Sequence, residues 1–431
     1  MVVDQALYRR TELPNGLVVL TEPMDHVRTA SLGVWIGAGS RHEQRAQMGI
    51  CHFIEHALFK GTATRSALEI AQAMDAIGGH LNAFTDKEHT CYYLRVLSNH
   101  LDDAMAVLAD MLLHPAFEPE ALERERQVIL EEIHMYEDAP DDLVHDLFAS
   151  SMWPEHPLGW PIAGIHETVA RLSRADLMGF LGAYCRPNVS LLAAAGRLSH
   201  DAIVELAERA LGAWDGRSVP TAVSPPVTRA EVAFRHKDIE QVHLCLGVPG
   251  FPQAHRDRYA LAVLDTILGS GMSSRLFQEI REERGLAYSI STYHAAYLDA
   301  GAFVVYAGTS PASAREVVHL VLENLARARD GLDAAEIARA KESLKGSLML
   351  DLETPGSRMS KLARSEQYFG RQLSLDEIIG AVDAVTRDDV RRVAGTLFVP
   401  DRVTLAAIGP FDEHPGLAGS LDAEVRAHAG A

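Results

Sequence analysis

The sequence predicts an α+β protein built from two homologous domains, each a mainly antiparallel sheet packed with helices. Three observations carry that prediction. Short alternating apolar runs closed by turn residues take turns with longer stretches of helical apolar spacing. The order of these elements in the first half recurs in the second. And 431 residues with 47% hydrophobic content exceed what one ordinary core organises, so the chain is expected to divide.

Taken in order, "GLVVLTEP" and "TASLGVWIGAGS" read as strands ended by turn residues. From Met48 to Phe59 the apolar spacing is helical, and Gly61 stops it. "SALEIAQAMDAIG" is an amphipathic helix closed by Gly78 and Gly79. "HLNAFTDKEHTCYYLRVL" reads as two short strands around a polar turn, and "LDDAMAVLADMLLH" as the next helix. "EPEALERERQVILEEIHMYED" is a long charged-and-apolar helix with Pro119 in its first turn. Residues 214–230, "WDGRSVPTAVSPPVTRA", hold three prolines and several small polar residues, which suits an exposed connection. The expected division is therefore 1–215, a linker at 216–230, and 231–431.

Beyond the linker the order repeats. "VHLCLGVPGF" is a strand like "ASLGVWIGAGS", and "RYALAVLDTILGSG" is a helix where the Met48–Phe59 helix stood. "LAYSISTYHAAYLDAGAFVVYAG" is a strand pair, and "SAREVVHLVLENLARAR" and "DAAEIARAKESLKGSLML" match the two helices before the linker. In the last match Leu122 aligns with Ile337, Arg124 with Arg339 and Arg126 with Lys341, all at an offset of 215. One unit of roughly 200 residues is duplicated.

Charge and cysteine usage narrow the function. With 59 acidic against 40 basic residues the net charge is −19, which argues against nucleic acid, because phosphate neutralisation needs a basic surface. It is compatible with basic peptides, although an acidic excess is also an ordinary solubility device. The four cysteines, Cys51, Cys91, Cys185 and Cys245, are scattered with no CxxC pair, so a reducing compartment is expected. The N-terminal stretch lacks an apolar signal-like core, and no run of about twenty apolar residues occurs. The expected setting is the cytoplasm, without membrane or nucleic-acid partners.

The chemistry concentrates in "CHFIEHALFKGT" at 51–62. His52 and His56 stand at i and i+4 of the expected helix, so both imidazoles lie on one face, a turn apart, and can share one small cation. Glu55 borders that face and can reach a water without filling a coordination position. Neutral imidazole suits zinc, a catalytic zinc keeps one position open, and a nearby carboxylate can accept a proton from water. Spacing alone leaves a second reading open, a partly buried histidine pair with hydrogen-bond partners, since the chain holds 20 histidines. A third ligand would come from the long helix, where Glu123, Glu125, Glu131 and Glu132 all compete with an ordinary solvated acidic face. Glu125 and Glu132 are seven apart and share a face. At the repeat offset they become Ala340 and Ser347, and the second half has no HxxEH, so metal chemistry is expected in the first half only.

"HFIEHALFKGT", "GGHLNAFTDKEHTCYY" and "ERERQVILEEI" together resemble the inverted-zincin (HxxEH) metallopeptidases of the pitrilysin–insulinase family, peptidase family M16. The resemblance covers nearly the whole chain and is closest to the short-chain branch that includes mitochondrial processing peptidase and bacterial homologues. It implies one zinc ion per chain. The family's third ligand lies 76 residues beyond the second histidine, which selects Glu132, and its supporting glutamate seven residues earlier selects Glu125. It makes Glu55 the general base and places a substrate peptide as an added strand along Asn82, Ala83 and Phe84. It assigns Arg281 and Tyr288, from the C-terminal domain, to the oxyanion of the tetrahedral intermediate, with Arg284 as a competitor for the arginine role. A chain of this length carries two of the four domains of long family members, so the resemblance implies a chamber formed by two subunits, most economically a homodimer, with a heterodimer containing a related chain as the alternative. The expected function is a zinc endopeptidase acting on peptides or unfolded segments. The alternative is a non-catalytic scaffold subunit of a processing-peptidase-like complex.

Overall fold

The structure, a computed structural model, describes residues 8–218 and 223–429. Within the expected linker, residues 219–222 lie outside the described residues. The first half of the chain runs β1 (Arg9–Glu12), β2 (Val18–Pro23), β3 (Thr29–Ile36), α1 (Ile50–Leu58), α2 (Ala67–Ala76), β4 (His80–Thr85), β5 (Thr90–Leu97), α3 (Leu101–Leu113), α4 (Pro119–Asp138), α5 (Pro140–Met152), α6 (His166–Val169), α7 (Arg174–Tyr184), β6 (Ser190–Gly196) and α8 (His200–Leu211). The second half runs β7 (Val232–His236), β8 (Val242–Pro249), α9 (Arg258–Leu268), β9 (Ala287–Ala296), β10 (Gly301–Thr309), α10 (Ala314–Asp330), α11 (Ala334–Asp351), α12 (Pro355–Phe369), α13 (Leu375–Ala384), α14 (Arg387–Leu397), β11 (Thr404–Gly409) and α15 (Leu417–Ala429).

The α+β class and the duplication both hold. One sheet has the order β1-β2-β6-β3-β5-β4, the other β7-β11-β8-β10-β9. Apart from β1 the two orders are the same, strand for strand. Each sheet is antiparallel except for one pair, β2 with β6 and β7 with β11. Those parallel pairs bring the last strand of each repeat next to its first and close the unit.

Every residue of β6, "SLLAAAG", and of β11, "TLAAIG", is buried. Such strands are covered on both faces, which is why they read as continuous apolar runs without alternation. In the first sheet one face packs the main core: Leu32 and Val34 from β3 meet Phe53 from α1, Met105 and Leu108 from α3, and Ile129 from α4. Its other face, with Trp35, Ala193 and Ala195, is covered by Met359, Leu362 and Ala363 of α12. In the second sheet the main core joins Leu244 and Leu246 to Leu261 and Leu264 of α9 and Val321 of α10. Its other face, with Cys245, Ala406 and Ile408, is covered by Val144, Phe148 and Met152 of α5. Each Val, Leu, Ile, Phe or Met among them contributes about 1.5–3 kcal/mol on burial.

The compact units therefore cross the contiguous spans 1–215 and 231–431. Unit 1 comprises the chain through His134, Pro161–Val223 and Met349–Ser374; unit 2 comprises Met135–Trp160, Ser224–Leu348 and the chain from Leu375 on. Each repeat lends the other one covering helix. The physical reason is that a two-faced sheet needs a second apolar layer, and any amphipathic helix of suitable length supplies it regardless of its place in sequence. The four cysteines are free and buried, and among the described residues no helix is long and apolar enough to cross a membrane.

Candidate active site

Helix α1 is amphipathic in a particular sense. Phe53, Ile54, Ala57 and Leu58 are buried, while His52, Glu55 and His56 are only partly covered on the other side. Two devices fix where the helix starts. Gly49 precedes it at φ +89°, where a side chain would strain the backbone and a Cβ would stand 2.6 Å from the Ala163 carbonyl oxygen. The Glu43 carboxylate accepts hydrogen bonds from the Gly49 and Cys51 backbone N–H groups, both at 2.9 Å, satisfying donors that the first turn leaves open. Burial pushes the Glu43 carboxyl up to about 7, against the pull of those backbone donors.

Helix α4 buries Leu122, Glu125, Ile129 and Ile133. That phase turns Glu125 and Glu132 inward and leaves Glu123 and Glu131 exposed. Glu132 Oε2 stands 3.7 Å from His52 Nε2 and 3.6 Å from His56 Nε2, and the three donor atoms lie within 4.8 Å of one another. Donors on a tetrahedral zinc, each about 2.0–2.2 Å from the ion, stand roughly 3.3–3.5 Å apart, so the set fits a zinc ion with little movement.

The surrounding hydrogen bonds favour the same use. His56 Nδ1 is bonded to Glu125 Oε1 at 2.8 Å, which keeps a proton on Nδ1, donated to the carboxylate, and turns the Nε2 lone pair toward Glu132. Glu125 is itself held by Lys60, Nζ to Oε2 at 2.7 Å. Burial opposes ionisation of Glu125, but hydrogen bonds from His56 and Lys60 outweigh it and hold the carboxyl below its ordinary value. His52 is driven down to about 4, by burial first and then by the neighbouring His56, and so is neutral, as a ligand must be. His56 is shifted upward: burial lowers it, but its hydrogen bond to Glu125 and the charges of Glu132, Glu125 and Glu55 prevail. Three carboxylates facing two imidazoles make a pocket that attracts a cation.

Glu55 lies beside this group. Burial raises its carboxyl, the nearby Glu132 adds to the rise, and a hydrogen bond from Thr85 opposes it. Thr85 Oγ1 donates to Glu55 Oε2 at 2.5 Å. A carboxyl raised by burial and placed beside a candidate metal site has the profile of a general base. Thr85 is a site residue that spacing did not single out. It stood in the stretch "LNAFT", but its partner is 30 positions away and only the fold brings them together.

Thr85 ends β4, the edge strand of the first sheet, which among the described residues pairs on one side only, with β5. Leu81 and Ala83 pack against the main core on the α1 side. Phe84 packs edge-on against Trp35, ring centroids 5.4 Å apart, on the α12 side. Asn82 is exposed, and its Oδ1 accepts the Ala83 backbone N–H at 2.8 Å. Of the three expected substrate contacts, Phe84 thus commits its ring to packing, and what the strand offers a peptide is its backbone edge.

Arg281 and Tyr288 belong to unit 2. Arg281 lies in a π-helical segment, Phe277–Glu283, and Tyr288 in β9, with 78% of its surface exposed. The Arg281 guanidinium lies 5.1 Å from the Tyr288 ring centroid and 4.7 Å from that of Phe277. Arg284 turns instead to Glu279, at 3.6 Å, and Glu316, at 3.4 Å. Of the two arginines it is Arg281 that accompanies Tyr288.

Known proteins resemble the chain over nearly its whole length. Residues 18–165 match the profile of Insulinase (Peptidase family M16), and residues 171–344 match that of the Peptidase M16 inactive domain. An uncharacterized zinc protease of Bacillus subtilis, YmxG, is 42% identical over 410 residues, covering 95% of this chain and 100% of its own. The chain belongs to peptidase family M16. Another uncharacterized zinc protease, from Streptomyces coelicolor, is 42% identical over 415 residues, 94% of this chain and 90% of its own. Among solved structures, a protease from Helicobacter pylori superposes with a TM-score of 0.86 at 24% identity, over 94% of this chain and 99% of its own. A peptidase M16 inactive domain from Pseudomonas fluorescens gives 0.88 at 21% identity, over 94% and 98%. These two share the family's fold. The match of the second region to an inactive domain parallels the residues there: Ala340 and Ser347 stand where the first repeat has Glu125 and Glu132.

Proposed function

We propose that this chain is a zinc-dependent endopeptidase that hydrolyses peptides or unfolded segments, with one zinc per chain held by His52, His56 and Glu132. The observation that carries the reading is the convergence of those three donors, with Glu132 Oε2 3.6–3.7 Å from each imidazole, beside the partly buried carboxylate of Glu55, on a chain whose M16 relatives are named zinc proteases. Bound there, zinc would act as a Lewis acid, polarising the scissile carbonyl and making water more acidic.

The chain's own residues do the rest. Glu125 keeps the His56 ring oriented. The open edge of β4 takes the substrate as an extended strand, through backbone hydrogen bonds indifferent to its sequence. Glu55 accepts a proton from the attacking water as the water oxygen bonds to the carbonyl carbon, and delivers it to the nitrogen as the C–N bond breaks. Arg281 and Tyr288 present two donors suited to an oxyanion, and in a chamber made by two copies of this chain they would serve the reaction centre of the partner copy. Such a homodimeric chamber admits extended chains and excludes folded ones. The four free, scattered cysteines support a reducing compartment, the cytoplasm, as its setting.

The test uses purified full-length protein, its metal content and a quenched peptide. Glu55→Gln retains about one zinc per chain and loses cleavage by roughly 10²–10⁴-fold, the usual contribution of a general base. Wild-type cleavage by Glu55→Gln, or gently purified protein without zinc, overturns the reading.

A further inference from the structure

We propose that Thr85 is a positioning residue for Glu55: its hydroxyl fixes which carboxylate oxygen takes the proton, and it ties the base to the edge strand that receives the peptide. This rests on the assignment of Glu55 as general base and adds a residue to it.

The hydrogen bond is the starting point. Thr85 Oγ1 donates to Glu55 Oε2 at 2.5 Å, within the short range of hydroxyl-to-carboxylate bonds. A threonine hydroxyl has one proton to give, and here it is given to Oε2. Glu55 Oε1 has no hydrogen-bond donor among the described residues. The two oxygens are therefore not equivalent. When water attacks, its O–H bond breaks and the new O–H bond forms on Oε1, while its oxygen bonds to the carbonyl carbon. Oε2 keeps the threonine proton throughout. When the C–N bond breaks, the proton on Oε1 passes to the departing nitrogen and the carboxylate is restored. Without the hydroxyl, Glu55 could rotate and present either oxygen, and the orientation would have to be found at each turnover.

The place of Thr85 in the sheet gives the second half of the inference. It is the last residue of β4, opposite Thr90 of β5, and it shares the α1-facing side of the strand with Leu81 and Ala83, which pack into the core. Its backbone is thus held by the ladder and its side chain by Glu55. A peptide added along the open edge of β4 steadies the strand end that carries the hydroxyl. The base is then best oriented when substrate is seated. A β-branched side chain is stiff at χ1, so the hydroxyl follows the strand closely.

Three full-length variants test this. Thr85→Val keeps the branched shape and removes the donor; Thr85→Ser keeps the donor and removes the branch. Thr85→Val should lower kcat about tenfold or more with KM within about twofold, part of the total effect of a general base. Thr85→Ser should restore most of the rate, and zinc content should match wild type in both. In the Glu55→Gln background, Thr85→Val should add no further loss. A readout independent of turnover uses metal-free protein: the infrared carboxylate band that disappears on Glu55→Gln should shift in Thr85→Val and stay in place in Thr85→Ser. Wild-type kcat in Thr85→Val, equal losses in the Val and Ser variants, or an unmoved carboxylate band each overturn the inference. The outcomes also separate the two proposals. An inactive Glu55→Gln beside a fully active Thr85→Val removes only the role of Thr85, whereas an active Glu55→Gln removes the base itself.

Discussion

Helices α1 and α9 occupy the same place in two copies of one unit, yet only α1 carries two histidines and a glutamate. Helix α9 buries Ala260, Leu261, Val263, Leu264, Ile267 and Leu268 and has no histidine. Helix α1 buries its apolar side equally well and spends three positions on His52, Glu55 and His56. The difference continues in the next partner helix. Glu125 on α4 is 5% exposed, and Ala340 on α11, at the repeat offset, is 3% exposed. A carboxylate so deeply buried is tolerable only when paired, and in unit 1 His56 and Lys60 pair it. Without the imidazole the buried acid loses a partner, so the site and its support stand or fall together, while the scaffold is indifferent to both.

The largest expected effect is at the ligands. His56→Ala or Glu132→Ala should remove stoichiometric zinc and with it peptide cleavage, by 10³-fold or more, because two donors cannot hold a catalytic ion against competing chelation. The mirror experiment is Ser347→Glu in unit 2. It supplies a carboxylate at the corresponding place but no imidazole pair on α9, so metal analysis should still find about one zinc per chain. A second equivalent of zinc would mean that the two units differ less than their side chains indicate.

Next in size is the supporting acid. Glu125→Gln keeps shape and some hydrogen bonding but removes the charge that orients His56, and should weaken zinc binding about 10–100-fold, read by competition with a chelating dye. The reverse change, Ala340→Glu, buries a carboxyl with no partner built for it and should cost unit 2 on the order of 3–5 kcal/mol in chemical denaturation, if the group stays ionised. A mild effect of Ala340→Glu would show that the position can open to water, and would weaken the argument that buried pairing keeps Glu125 in place.

Much of this was legible in the sequence, for physical reasons that can be named. HxxEH is a local pattern: helical geometry alone puts His52 and His56 together. The seven-residue spacing puts Glu125 and Glu132 on one face of α4, but spacing left four glutamates open, and only the burial of Leu122, Ile129 and Ile133 beside Glu125 shows that this face turns inward. Glu132 was harder, because its meeting with α1 depends on how 76 residues of chain return, and there the family resemblance supplied what spacing could not. The covering helices were out of reach. The apolar stripes of α5 and α12 say that each needs a sheet, not which sheet, and each took the one from the other half of the chain. Strands β6 and β11 gave no alternation to read, because both of their faces are covered. Thr85 had no signal at all beyond its place in "LNAFT": a hydroxyl in a strand is ordinary until its partner is known.

The smallest effect tests those covering helices. Strands β3 and β8 share a Leu-Gly-Val sequence, and the glycine of each lies under the helix lent by the other repeat. At Gly33 an added Cβ would meet the Met359 sulfur and the Trp35 indole nitrogen at 3.0 Å and the Cys91 sulfur at 3.2 Å, all side-chain atoms. Met359 is unbranched and can shift by a few tenths of an ångström, so Gly33→Ala should cost less than about 1 kcal/mol. At Gly247 the Cβ would stand 2.5 Å from the Phe303 carbonyl oxygen and 2.7 Å from the Phe148 ring. The carbonyl belongs to the β10 backbone and cannot move without disturbing the ladder, and the ring is the part of α5 that seals the sheet, so Gly247→Ala should cost about 1–3 kcal/mol. Urea unfolding of the two variants measures the difference, and faster amide exchange in α5 than in α12 locates it. Equal costs would mean that α5 lies less tightly on its sheet than these distances imply, and that the two exchanged helices are fastened alike.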